Sequence, residues 1–187
     1  MQTTPSSLLV RLRQPGEQQA WARFVELYAP LLYDWARRFR LQPDDAADLV
    51  QDVFVILVRK LPEFVDEPGK RFRGWLWTVV HNAWRSRLRK AGRGPRADPA
   101  DPDELAAPEA PSEMEAQEYS RYLISRGLRV VRDDFQPTTW KAFEEHVIAG
   151  RPAAEVAAEL GVTVNAVHLA RSRILRRLRA ELAGLLD

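Results

Sequence analysis

Five prolines and two glycines fall between residues 91 and 113, in AGRGPRADPADPDELAAPEAPSE, with no bulky apolar run among them. Proline removes a backbone donor and fixes φ, so neither a long helix nor a sheet can run through this stretch. It lacks the apolar side chains to build a core and reads as a linker. The rest must fold from what precedes and follows it. The chain has 187 residues and is 45% hydrophobic, enough for one domain or two small ones. The expectation is an all-α fold of two small helical domains, residues 1–91 and 116–187, joined by an acidic, Pro-rich flexible linker, 92–115.

The helical reading rests on period. In residues 17–40, Trp21, Phe24, Val25, Tyr28, Leu31, Leu32, Trp35 and Phe39 recur at three- and four-residue spacing. That is one face of an amphipathic helix, or of a helix pair adjusted near Pro30. Pro43 separates it from a second helix, Ala46 to Leu61, opened by Asp44 or Asp45. There Leu49, Val50, Val53, Phe54, Leu57 and Val58 form a broad stripe, opposite Asp45, Asp48 and Asp52. A third helix is expected from about Arg73 to Lys90, and helical signals resume by about Met114. In the last seventy residues, Trp140, Phe143, Val147 and Ile148 share one face of a middle helix. No strand pattern or internal repeat competes.

The net charge of +2 hides a block pattern. Residues 1–91 carry 15 Lys/Arg and 10 Asp/Glu, residues 92–118 two against eight, and residues 119–187 eleven against eight. Two basic modules around an acidic connector suit a partner that is itself a polyanion. Between Lys70 and Arg96 there are nine basic residues and no acidic one.

The sharpest local pattern is GRPAAEVAAELGVTVNAVHLARSRILRRLR, residues 150–179. Pro152 suits a helix opening, Val156, Ala157 and Leu160 face inward, and Gly161 stands where a chain leaving a helix often needs positive φ. Val162 plugs the angle and Thr163 caps the next helix. In that helix Val167, Ala170, Ile174 and Leu178 repeat inward. This is a helix-turn-helix, whose second helix fits a DNA major groove about 12 Å wide. Five arginines and no carboxylate lie between Leu160 and Ala180, so nothing there repels phosphate.

The whole chain resembles the extracytoplasmic-function group of the bacterial sigma-70 family of RNA polymerase sigma factors, over about residues 15–91 and 130–183. Residues 44–61, DDAADLVQDVFVILVRKL, look like the helix that docks on the clamp coiled coil of the polymerase β′ subunit. The resemblance assigns that contact to Asp48, Gln51 and Asp52. Residues 71–90, RFRGWLWTVVHNAWRSRLRK, resemble the segment that opens and recognises the −10 element. Here the implied DNA contacts are Arg71, Phe72, Arg73, His81, Asn82, Arg85 and Arg89, with aromatics for unstacked bases and cations for the backbone. Trp75 and Trp84 fit that role or the apolar core. The helix-turn-helix resembles the region that reads the −35 element as duplex, through Asn165, His168, Arg171, Arg173 and Arg176. The chain departs from the family pattern in two places. Ser86 stands where an acidic residue is frequent, and His168-Leu169-Ala170 replaces Lys-Ser-Arg.

The resemblance implies core RNA polymerase and promoter DNA as partners, with an anti-sigma factor as a further candidate. The sequence leaves room for a standalone helix-turn-helix regulator, which accounts for residues 150–179 alone. An enzyme is disfavoured. Asp48 and Asp52 have ordinary helical spacing, no phosphate-cradling loop accompanies them, and no cysteine is present. Three scattered histidines make no local metal motif, so neither metal nor cofactor is expected. With no signal-peptide core and no long apolar stretch, no membrane insertion and a cytoplasmic location are expected.

Overall fold

The computed structural model describes residues 7–64, 72–90 and 113–186. Arg71 and most of the acidic linker lie outside the described residues. Every regular element described is helical. In chain order they are α1 (Leu8–Leu12), α2 (Gln18–Arg38), α3 (Pro43–Lys60) with a 3₁₀ turn at Leu61–Glu63, and α4 (Phe72–Lys90). There follow α5 (Glu113–Arg132), α6 (Pro137–Phe143) with a π-turn at Glu144–Ile148, α7 (Ala153–Leu160) and α8 (Val164–Leu182). The composition makes this reasonable, since Leu, Ala, Arg and Glu lose little freedom in a helix.

Residues 18–38 form one helix with Pro30 inside it, rather than a pair. Proline cannot donate to the carbonyl four residues back, so the Glu26 oxygen loses its helical partner. The Arg126 guanidinium of α5 donates to that oxygen at 2.9 Å. One residue on, the Tyr122 hydroxyl donates to the Leu27 carbonyl at 3.0 Å. A local defect in α2 thus becomes a polar seat for α5. Helix α1 had no counterpart in the sequence reading; it is five residues long and buries Leu8, Leu9 and Leu12.

The hydrophobic core does not divide where the chain does. A single buried cluster joins α1–α4 to α5, α6 and the C-terminal part of α8, where Ile174, Leu178 and Leu182 are buried, with Leu185 just beyond the helix end. Among the described residues, Ala142 of α6 and Val156, Ala157, Val167 and Ala170 of the helix-turn-helix form a separate small core. Gly127 sets the approach of α5 to α8. A Cβ there would stand 2.8 Å from Leu178 Cδ1 and 3.1 Å from Leu182 Cδ1.

Val25, expected on the apolar face of α2, is 41% exposed. In the C-terminal half two apolar residues depart from the sequence expectation as well. Val147 and Ile148 are 37% and 60% exposed rather than buried beside Trp140 and Phe143. The cause is the π-turn. The Ala149 amide donates to Glu144 at 2.9 Å, five residues back, so the helix takes up an extra residue and the α period fails.

Candidate nucleic-acid and partner interfaces

Helix α3 buries Ala46, Leu49, Val53 and Leu57. Rotating about 100° per residue then turns 48, 51, 52, 55 and 58 away from the core. Asp48 and Asp52 are 60% and 54% exposed and both face Arg87 of α4, at 3.5 and 2.7 Å. Gln51 is exposed beside them. Val55 and Val58 continue the same face at 54% and 55% exposure. Val58, expected on the buried stripe, is thus turned outward, and Val55 joins it. Their spacing of three and seven from Asp52 and Gln51 was the available signal. The result is a mixed surface, acidic at one end and apolar at the other.

Helix α4 separates its basic and aromatic residues more sharply than the sequence suggests. Phe72 is 1% exposed, and its ring lies within 6.2 Å of Phe24, Tyr28, Phe64 and Trp75. It is a core residue here rather than an open platform for a base. Arg73 is 8% exposed, with its guanidinium 5.6 Å from the Tyr119 ring centre on α5. Its Nη1 has no hydrogen-bond partner. The expected contact of Phe72 and Arg73 with DNA is therefore closed in this conformation, because the aromatic cluster holds one and α5 covers the other. Trp75 and Trp84 are half-buried. Trp84 stacks on Phe39 at 4.7 Å, and Trp75 leans on Phe64.

What α4 offers outward is Asn82, Arg85 and Arg89, three and four residues apart, the first two half-buried and Arg89 exposed. His81 sits beside them, its ring 5.5 Å from Trp84 and 6.1 Å from Phe39. Partial burial, helped by the charge of Arg85, lowers the His81 pKa, so the ring is neutral near pH 7. Neutral imidazole can still donate or accept a hydrogen bond.

The helix-turn-helix has the expected joints. Gly161 is left-handed at φ 65°, ψ 32°, and the Thr163 hydroxyl accepts from the Ala166 amide at 3.1 Å. Helix α8 buries Val167, Ala170, Ile174 and Leu178. Asn165, His168, Arg171, Arg173 and Arg176 are all exposed. They do not form one line. At about 100° per residue, Arg171 and Arg173 fall on opposite flanks, with Asn165 and Arg176 between them. Flank arginines suit phosphates on either side of a groove, and the central row suits base edges. A shallow groove runs along His168, Arg171, Ser172, Leu175, Arg176 and Arg179. Sequence reasoning had not assigned Arg179, though it lies three turns beyond His168 on the same side.

Arg177 belongs elsewhere. With Arg23 of α2 it surrounds Asp134 and the fully buried Glu181. Arg177 Nη1 is 2.6 Å from Glu181 Oε2, but the two are poorly aligned, and neither atom makes a well-angled hydrogen bond. Burial pushes the Asp134 carboxyl up, yet the hydrogen bond and charge of Arg23, joined by Arg177, outweigh it and hold it below its ordinary value. Among the described residues, no group of three His, Cys, Asp or Glu side chains could hold a metal, and no helix is long and apolar enough to cross a membrane.

The family description "Sigma-70 region 2" matches residues 24–94, wholly outside the helix-turn-helix. The chain is 32% identical over 165 residues to the ECF RNA polymerase sigma factor SigE of Mycolicibacterium smegmatis, covering 86% of this chain and 61% of that protein. It is 31% identical over 179 residues to the RNA polymerase sigma factor CnrH of Cupriavidus metallidurans, covering 92% and 89%. A solved structure of CnrH in complex with the cytosolic domain of CnrY matches over 92% of this chain and 93% of that one, at 26% identity and a TM-score of 0.37.

Proposed function

Because this chain belongs to the extracytoplasmic-function group of the sigma-70 family of RNA polymerase sigma factors, we propose that three of its helices divide the work of promoter selection. Helix α3 docks on core polymerase through Asp48, Gln51 and Asp52, with Val55 and Val58 extending the contact. Helix α4 captures the melting −10 element through His81, Asn82, Arg85 and Arg89. Helix α8 reads the −35 duplex through Asn165, His168, Arg171, Arg173 and Arg176. The protein itself makes and breaks no bonds; RNA synthesis belongs to the polymerase, and the cytoplasm is where the two meet.

The observation that carries this reading is the separation of exposed surfaces. The α3 face is acidic and apolar, while the outward faces of α4 and α8 are basic and polar. Opposite charge favours a basic protein partner on one and phosphate on the others. A standalone regulator would need only α7 and α8.

Geometry adds one requirement. Elements named −10 and −35 lie about 25 base pairs apart, roughly 85 Å along a duplex. A compact chain of this length has a radius of gyration near 16 Å. Holding both elements at once therefore separates α5 from α2 and uncovers Arg73. The residues between α4 and α5 have the contour length to allow it, up to roughly 75 Å.

The reading is tested by paired substitutions. Asp52→Ala should weaken co-migration with core polymerase and leave duplex binding within twofold. Arg173→Ala should do the reverse. Equal effects of both changes on both activities would remove the division of labour.

A further inference from the structure

The recognition helix carries an imidazole at His168, and a second imidazole stands against it from outside the helix. The rings of His146 and His168 are 5.4 Å apart and cross at 78°, edge to face. His146 lies in the π-turn at Glu144–Ile148, which is inserted between α6 and the helix-turn-helix. Within α helices, turns of this kind are rare and concentrate at functional sites. Here the turn interrupts the α period next to the two apolar residues it turns outward.

The His146 ring is itself held. Its Nδ1 is 2.9 Å from the Arg151 carbonyl. A carbonyl can only accept, so Nδ1 carries the hydrogen and donates. That fixes the tautomer of neutral His146 and the plane of its ring. The acceptor is braced in turn, because the Arg151 guanidinium reaches Glu145 at 3.0 Å and Glu159 at 2.8 Å. One carboxylate comes from the π-turn and the other from α7. The support runs from α7 through Arg151 to His146, and from there to the face or edge of His168.

His168 is exposed and lies in the second turn of α8, four residues after Asn165's neighbour Val164 opens the helix. Side chains in the N-terminal part of such a helix are the ones that reach base edges. An unsupported exposed side chain samples several rotamers and loses that freedom on binding. A ring packed against a fixed second ring enters the groove already oriented, so more of its hydrogen-bond energy goes into distinguishing one base from another.

We infer that His146 is a positioning residue that sets the base preference of His168, although it lies outside the recognition helix. The inference rests on the reading of α8 as the −35 contact. It adds that part of the specificity is written in the preceding π-turn. Phenylalanine would keep the ring contact and lose only the hydrogen bond to Arg151. Alanine would lose both.

The test is selection from a randomised −35 duplex library by polymerase reconstituted with the full chain. Wild type, His146→Ala, His146→Phe and His168→Ala are compared, with thermal unfolding of each free protein. The expected result is that His146→Ala flattens preference at one base-pair position by about three- to tenfold, the position that His168→Ala also flattens. Other positions keep their preference, the unfolding midpoint stays near that of wild type, and His146→Phe restores most of the selectivity. A wild-type profile for His146→Ala would overturn the inference. So would a loss spread over all positions, which would mark His146 as structural support only. If His168→Ala itself leaves the profile unchanged, it is the assignment of His168 to the duplex that fails, and the positioning role falls with it.

Discussion

The hydroxyls of Tyr28 and Tyr119 meet at 2.8 Å across 91 residues of sequence, inside the core that joins α2 to α5. Both rings are buried, and Tyr119 also lies under the Arg73 guanidinium. The pair ties the two halves of the chain at the point where α4 begins. Removing one hydroxyl leaves the other buried without its partner, and removing both leaves an apolar contact. Tyr28→Phe and Tyr119→Phe should therefore each cost about 1–2 kcal/mol, and the double variant less than their sum. Urea unfolding of the four proteins measures this coupling. Additive losses would show that the bond contributes nothing.

The same pair predicts a response to alkaline pH. Burial raises the pKa of both phenols above the ordinary value of 10. A group whose folded pKa is raised stabilises the packed state fully below its free value, and that stability is lost as pH climbs past it. Absorbance near 295 nm should show Tyr28 and Tyr119 ionising late, together with loss of the α2–α5 contact, above about pH 10. Tyrosines that all titrate at the free value with the protein intact would contradict the burial.

On α3, Val55 and Val58 are predicted to matter for association and not for folding. Val55→Asp and Val58→Asp should change stability by less than about 0.5 kcal/mol, as is usual for exposed positions. Each should weaken polymerase binding about tenfold. Unchanged binding in a pull-down titration would confine the docking face to Asp48, Gln51 and Asp52.

Gly127 sets two effects against each other. Alanine in a helix interior gains about 1 kcal/mol over glycine, while overpacking a filled core costs about 1–3 kcal/mol. The nearest atoms are the ends of two leucine side chains, which can shift. Gly127→Ala should therefore fall within about 1 kcal/mol of wild type, and Gly127→Val should lose about 2 kcal/mol or more by denaturant unfolding. A neutral valine would mean that α5 and α8 are not in close contact.

The helix-turn-helix was legible nearly residue by residue, because Gly161, Val162 and Thr163 each have a local geometric reason to stand where they do. The α3 stripe was legible too, except at Val58, where an apolar residue was assigned inward on composition and the helical angle turns it out. What stayed hidden depended on partners distant in sequence. Nothing near Arg73 announces Tyr119, and nothing near Pro30 announces that Arg126 will take the carbonyl it frees. The π-turn was missed for a related reason. A sequence window assumes one period, and an inserted residue exposes Val147 and Ile148 without changing their chemistry. For the same reason Phe72, expected at the DNA surface, is found in the core: its basic neighbours suggested an interface, while its ring fits an aromatic cluster supplied by α2, α4 and the segment after α3.

The most direct measurement is transcription by core polymerase reconstituted with this chain on a library randomised over the promoter, repeated with Asn82→Ala and with Asn165→Ala. Initiation should require two separated sequence blocks, with Asn82→Ala altering preference in the downstream block and Asn165→Ala in the upstream one. A single block, or either variant altering both blocks alike, would contradict the assignment of α4 and α8 to separate promoter elements.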